Sequence, residues 1–282
     1  MAIATDLAAY LDRIGLERPV LPDPAGLLRV QAAHRQTIPF ENLDVMLGRP
    51  IRLERDVLAA KLVQARRGGF CFEHNLLLGR MLAAMGFANR MLLARVLLGN
   101  PPEPTPRTHC LLLVNILGKP WIADAGFGGS YAPPMPLADG AEAESGDGAR
   151  HRLRRIGKEG SLPGSWLLER RGPLATTDGR AATEAEWERQ YAFELAEVAM
   201  ADLTLGSHFA STHPGARHTQ VTVVSRCLPH GFVSLVDRRF SRSQAGLSEQ
   251  GEIADAAEYR ALLAEEFGLD LSLQEVQALP LF

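Results

Sequence analysis

Apolar residues recur at helical spacing through the first third of the chain and in short, dense runs thereafter, and this change of period divides the sequence. Leu7, Tyr10, Leu11 and Ile14 share one helical face, which Pro22 and Pro24 terminate. Further helices are expected over 26–36, over 54–66 with Val57, Leu58, Leu62 and Val63, and from Cys71 onward with Leu76, Leu77, Leu78, Met81, Leu82 and Met85. From about residue 90 the runs 91–98, 109–117 and 121–123 read as strands, with weaker candidates at 166–170 and 191–195. Leu117-Gly118-Lys119-Pro120 signals a tight turn and therefore a hairpin, while 101–106 and 138–150 read as exposed loops. Strands at 219–226 and 231–236 and a helix over 254–267 complete the chain. The pattern predicts an α+β fold with a helical unit over 1–88, a strand-rich unit over 89–198 and a mixed α/β unit over 199–282.

With 282 residues the chain exceeds the usual size of one compact unit, so several units sharing a cleft are expected. A formal charge of −3 and the absence of a block of like charges leave no footprint for nucleic acid or membrane, and the expected partner is a small molecule. Lysine occurs only at Lys61, Lys119 and Lys158, from which nothing functional follows. Asp6, Asp12 and Arg13 interrupt any secretory core, and no uncharged apolar run could span a bilayer. Three cysteines cannot complete an internal disulfide framework, so a reducing cytoplasm is expected.

Candidate chemistry concentrates in Arg67-Gly68-Gly69-Phe70-Cys71-Phe72-Glu73-His74-Asn75. Paired glycines allow a sharp turn, and Cys71 then opens an apolar helix whose free amides and dipole favour thiolate. A cysteine nucleophile needs a base and a group that orients the base. His109 opens one expected strand and Asp124 closes the next, so antiparallel pairing across the Gly118 turn makes them neighbours. Singly, each has a plain structural role; together they form a Cys71-His109-Asp124 set. Cys110 and Cys227 sit in apolar strands and read as packing. Neither a Cys-x-x-Cys nor a His-Glu-x-x-His pair occurs, and no metal is expected. Gly126-Phe127-Gly128-Gly129 lacks a P-loop ending but beside Asp124 offers close backbone approach and amide donors. Arg67 and Glu73 are expected to pair and brace the turn, Asn75 to bond local backbone, and 37–43 to be a packed connection between helices.

These segments resemble those of the arylamine N-acetyltransferases. The nucleophile motif 67–75 is one match, Ile38-Pro39-Phe40-Glu41-Asn42-Leu43 and Tyr10-Leu11-Asp12-Arg13-Ile14-Gly15 are others, and Asp124-Ala125-Gly126-Phe127-Gly128 and Ser211-Thr212-His213-Pro214 extend the likeness over nearly the whole chain. The resemblance implies a helical bundle, a central β-barrel and an α/β lid, with a papain-like Cys-His-Asp arrangement between the first two. It further implies acetyl transfer from acetyl-coenzyme A, a co-substrate rather than a tightly bound cofactor, to arylamines, hydrazines and N-hydroxyarylamines through acetyl-Cys71. Thr108, Gly126, Phe127 and Gly128 match positions that line the coenzyme A and acceptor cleft. Ser207, Ala216 and His218 depart from the family pattern, where asparagine, serine and an aromatic residue are common. A cysteine hydrolase or amide synthase would use the same three residues on another acyl substrate.

Overall fold

In the computed structural model, backbone is described for residues 2–282 and side chains from Asp6 onward. Helices α1 (Ala2–Arg13), α2 (Pro24–Thr37) and α3 (Cys71–Ala84) form the N-terminal layer. Asp23 caps α2 by accepting from the Gly26 amide at 2.7 Å, and Pro24 occupies the first turn where its missing N–H is no loss. Between α2 and α3 the chain makes short helical turns at Leu43–Met46 and Arg55–Leu58. The expected helix over 54–66 is only partly regular: after Leu58 it widens into a π-type turn over Ala59–Gln64, closed by the Ala65 amide on the Ala60 carbonyl at 2.8 Å. Leu58, Leu62 and Val63 stay buried through the change.

Helix α3 is buried on all sides, not along one stripe, which marks it as the central helix. Leu77, Leu78, Met81 and Leu82 pack against Tyr10, Ile14, Leu27 and Val30 on one flank and Leu112 and Val114 on the other. At about 25 cal/mol per Å², such fully enclosed side chains contribute roughly 1.5–3 kcal/mol each.

Eight antiparallel strands follow: β2 (Ala88–Val96), β3 (His109–Ile116), β4 (Lys119–Ala123), β5 (Met135–Pro136), β6 (Glu142–Glu144), β7 (Arg150–Arg155), β8 (Trp166–Arg171) and β9 (Glu188–Phe193). They form one sheet in the order β5-β4-β3-β2-β9-β8-β7-β6. The two edge strands, β5 and β6, are consecutive in sequence and joined by residues 137–141, so the sheet curls into a nearly closed barrel. Strand β6 and the enclosed Ser145 and Ala149 correct the expectation of an exposed loop over 138–150: alternation is too short there to signal a strand.

A second sheet has the order β1-β10-β11-β12-β13, where β1 is Phe40–Glu41, β10 Val223–Leu228, β11 Gly231–Val236, β12 Arg239–Gln244 and β13 Leu247–Glu252. Helix α4 (Met200–Thr212) precedes it and α5 (Ala256–Phe267) packs Tyr259, Leu263 and Phe267 against Val224, Val233 and Leu235. Its first strand, β1, is Phe40–Glu41 from the N-terminal segment, paired with Ser225 and Val224. The segment 37–43 is therefore more than a packed connection, since it adds a strand to the C-terminal sheet and bridges to Gly69.

Candidate active site

The hairpin that joins β3 to β4 sets the first half of the site. Ile116 pairs with Lys119, leaving the two-residue loop Leu117-Gly118, both at positive φ (52° and 79°), the backbone of a tight hairpin turn. That register pairs Leu112 with Ala123, so Asp124 falls beside Leu111 and one diagonal step from His109 on the same face. His109 Nε2 and Asp124 Oδ2 are 2.7 Å apart, and both side chains are buried. The other ring nitrogen, Nδ1, is left for the cysteine.

Cys71 is the first residue of α3, and its carbonyl meets Cys110 Sγ of β3 at 3.5 Å. Glu73 accepts from the Phe70 amide at 3.0 Å and so closes the first turn; Phe70 itself offers no side-chain cap. Cys71 lies at the bottom of a cleft of about 310 Å³, 3% exposed, with Sγ 3.6 Å from the Thr108 carbonyl. Burial opposes ionisation of its thiol, but hydrogen bonds with Cys110 and His109 and the imidazolium charge outweigh it and bring the pKa down to about 6. Burial likewise works against a charged His109, and the Asp124 carboxylate overcomes it and raises the imidazole to about 10. Asp124 is held below its ordinary value despite burial by His109, by Asn75 and by the Gly126 amide. The opposite shifts of the two groups favour the thiolate and imidazolium forms side by side.

The three residues are held by groups the sequence did not single out correctly. Asn75 Nδ2 donates to Asp124 Oδ1 (2.9 Å) and to the Cys110 carbonyl (2.7 Å), while its Oδ1 accepts from the Ala125 amide (2.9 Å). Asn75 thus bonds distant chain, not local backbone; its place one helical turn after Cys71, on the same face, was the available signal. Gln31 accepts from the Asp124 amide at 2.8 Å and donates to the Ala132 carbonyl at 2.8 Å. Tyr191 and Phe127 pack on the imidazole with ring centroids 4.8 and 5.1 Å away. Nothing local in the sequence marks Gln31 or Tyr191.

Arg67 and Glu73 do not pair with each other. Glu73 accepts from Lys61 Nζ at 2.8 Å, Lys61 also meets Asp44 at 2.7 Å, and Arg67 reaches Asp44 at 3.2 Å and the buried Glu41 at 2.8 Å. Lys61, from which the composition suggested nothing, is the centre of this bracing network. Behind α3 a second line runs from Tyr10 Oη to His34 Nδ1 (2.8 Å), from His34 Nε2 to His74 Nδ1 (2.8 Å) and from His74 Nε2 to the Pro39 carbonyl (3.0 Å).

The glycines serve close packing more than turning. Gly68 and Gly69 are not at positive φ; a side chain on Gly68 would strike the Pro39 carbonyl, and one on Gly69 would meet Glu73. A Cβ on Gly126 would lie 2.6 Å from Cys71 Cα, and one on Gly128 2.5 Å from the Phe40 ring. The Gly126 amide is spent on Asp124 Oδ1 at 2.8 Å, so it is no free donor for a substrate, contrary to the expectation from the motif.

Thr108, Gly126, Phe127 and Gly128 all line the cleft with Cys71 and His109, and the opposite wall comes from α4 and the segment after it, including Phe209, Ala216, Arg217 and His218. Ala216 and His218 thus face the cleft, whereas Ser207 is on the other side of α4, in a separate groove with Arg49 and Arg80. Among the described residues no group of His, Cys, Asp or Glu is arranged to hold a metal ion, and no helix is long and apolar enough to cross a membrane.

Residues 25–276 match the family model described as N-acetyltransferase. The chain is 35% identical over 269 residues to the arylamine N-acetyltransferase / N-hydroxyarylamine O-acetyltransferase of Salmonella typhimurium, covering 94% of this chain and 89% of that one. Its fold is similar to the solved arylamine N-acetyltransferase structure from that organism, with a TM-score of 0.88, 33% identity and coverage of 98% and 97%. It is similar also to the Mycobacterium marinum arylamine N-acetyltransferase in complex with CoA, with a TM-score of 0.83, 32% identity and coverage of 96% and 97%. A mixed fold with a nearly closed barrel, a cysteine at the foot of its cleft and full-length likeness in sequence and structure lead to one assignment: the chain belongs to the arylamine N-acetyltransferases, a family of acyltransferases.

Proposed function

We propose that this protein transfers the acetyl group of acetyl-coenzyme A to the nitrogen of arylamines and arylhydrazines, and to the oxygen of N-hydroxyarylamines, through an acetyl-Cys71 intermediate. The observation that carries the reading is the buried Cys71 thiol lining the cleft together with an imidazole held by Asp124 at 2.7 Å. Cys71 thiolate attacks the thioester carbonyl and the bond to the coenzyme A sulfur breaks. His109 gives its proton to that sulfur as it leaves. The acceptor amine then attacks the acetyl-cysteine carbonyl, His109 takes a proton from the nitrogen, and the Cys71 thiolate departs. Asp124 orients the imidazole and stabilises its charged form in both halves.

The Cys71 and Phe72 amides lie in the first turn of α3, where helix N–H groups lack intrahelical partners, and they are the donors suited to the oxyanion of each half. The likeness to the M. marinum protein, whose structure is in complex with CoA, supports coenzyme A as the leaving group. Brief exposure to acetyl-coenzyme A followed by mass spectrometry tests the intermediate. An acetyl adduct on Cys71, absent from Cys71→Ala, is expected, as are parallel lines in initial-rate plots against an arylamine. Hydrolysis of the thioester with no acetylated amine from any acceptor would instead favour a hydrolase.

A further inference from the structure

Cys110 has no step in acetyl transfer, yet it lies against the nucleophile. Along β3 the residues Cys110, Leu112 and Val114 alternate onto the face that meets the N-terminal layer, and Cys110 packs there with Cys71, Phe72 and Leu76. Two contacts hold it to the first turns of α3: its carbonyl accepts from Asn75 Nδ2 at 2.7 Å, and its Sγ is 3.5 Å from the Cys71 carbonyl oxygen. The two thiols are within hydrogen-bonding reach of each other. A disulfide sets its sulfurs about 2.0 Å apart, so each needs to move by only about 1 Å from contact.

Exposure and ionisation give the two sulfurs different characters. Cys71 lines the cleft of about 310 Å³ with Thr108 and His109, where a small oxidant meets it. Cys110 is fully enclosed, and burial followed by its hydrogen bond to Cys71 holds its thiol well above the ordinary range. Cys71 moves the other way: burial opposes ionisation, but hydrogen bonds with Cys110 and His109 outweigh it. One sulfur is therefore reachable and reactive, and the other is inert until its neighbour has been oxidised. The third free cysteine, Cys227, lines a separate cavity with Tyr131 and Asp147 and serves as a control.

We propose that Cys110 is a resolving cysteine, which captures Cys71 after its oxidation by a hydroperoxide and stores it as a reversible Cys71–Cys110 disulfide. The Cys71 thiolate attacks one oxygen of hydrogen peroxide, the O–O bond breaks, hydroxide leaves, and Cys71 becomes a sulfenic acid. Cys110 Sγ then attacks the Cys71 sulfur; the S–OH bond breaks, and the hydroxyl departs as water with the Cys110 proton. Two thiols have given two electrons to one peroxide, and a dithiol reductant restores both by exchange. Without the second step, excess peroxide carries Cys71 on to a sulfinic acid, which thiols do not reduce. The inference needs a nucleophilic Cys71 but not acetyl transfer, and its readouts use no acetyl donor.

Wild-type protein, Cys110→Ala, Cys110→Ser and Cys227→Ala are held in excess hydrogen peroxide, and each is then divided between peptide mass spectrometry and reduction by dithiothreitol followed by iodoacetamide. In the wild type and Cys227→Ala the peptides bearing Cys71 and Cys110 are expected to be joined, and dithiothreitol to restore alkylation of Cys71. Both Cys110 variants are expected to lose that recovery, measured against their own unoxidised alkylation, and to accumulate sulfinic acid at Cys71. Peptide mapping needs the wild type alone, so a poorly folded variant does not weaken the test. Sulfinic acid at Cys71 of the wild type with no joined peptide would overturn the proposal, as would Cys110 variants that recover as fully as the wild type.

Discussion

Polar groups behind Cys71 and those facing it across the cleft are treated in opposite ways. Behind it, Asn75 satisfies three partners, Gln31 two, and Asp124 is bonded at both oxygens. Across the cleft, Arg217 and His218 each keep an enclosed nitrogen unbonded among the described residues. The contrast is one of bonding: the groups that hold Cys71, His109 and Asp124 in place are completed by the protein through hydrogen bonds, whereas the aromatic support of His109 by Tyr191 and the far wall of the cleft rest on packing.

Breaking the completed side has the largest effect. Asp124→Asn preserves shape and packing but removes the charge that keeps His109 protonated and correctly turned, and kcat/KM for acetyl transfer is expected to fall about 10⁴-fold. A near-normal rate would reduce Asp124 to a structural role. Next, Asn75→Ala leaves the Cys110 carbonyl, an Asp124 oxygen and the Ala125 amide short of a partner in a buried site, and chemical denaturation should show a loss of about 3 kcal/mol or more. A loss below about 1 kcal/mol would mean that water replaces the amide. The smallest effect is a displaced midpoint. Because the folded-state pKa of Cys71 is lowered from 9.0 to about 6, thiolate is present above pH 6 and lost as pH falls through it. Iodoacetamide alkylation of Cys71 should therefore be flat near neutrality and decline tenfold per unit below about pH 6; a midpoint near 9 would disprove the ion pair.

How much of this could be read from the chain depended on distance along it. Leu117-Gly118 fixed a hairpin, and the hairpin fixed the closeness of His109 and Asp124, because both are local consequences of turn chemistry and period. The start of α3 at Cys71 was equally legible from the apolar run that follows. Strand β1 was not, since two residues give no alternation and their partner β10 is some 180 positions away in sequence (Phe40 to Ser225, Glu41 to Val224). Lys61 and Gln31 escaped notice for the same reason: one sits in the π-type turn and the other on α2, and only tertiary contact reveals what each head group meets. The glycines were noticed but for the wrong property, because crowding by Pro39, Glu73 and Cys71 cannot be inferred from neighbours in the chain.

The line from Tyr10 through His34 and His74 to Pro39 has one further consequence. A carbonyl can only accept, so Pro39 compels His74 to carry its hydrogen on Nε2, which obliges His34 to do likewise and the phenol to donate. A single oxygen on the approach to β1 thereby dictates the tautomers of two imidazoles and the orientation of a hydroxyl on α1. Burial lowers His34 and brings His74 to about 3, so the polarity of the line is fixed through the neutral range. Acid is what would reverse it: one extra proton makes His74 donate to His34, moves the hydrogen of His34 to Nδ1 and turns the phenol into an acceptor, leaving a buried charge where three helices meet.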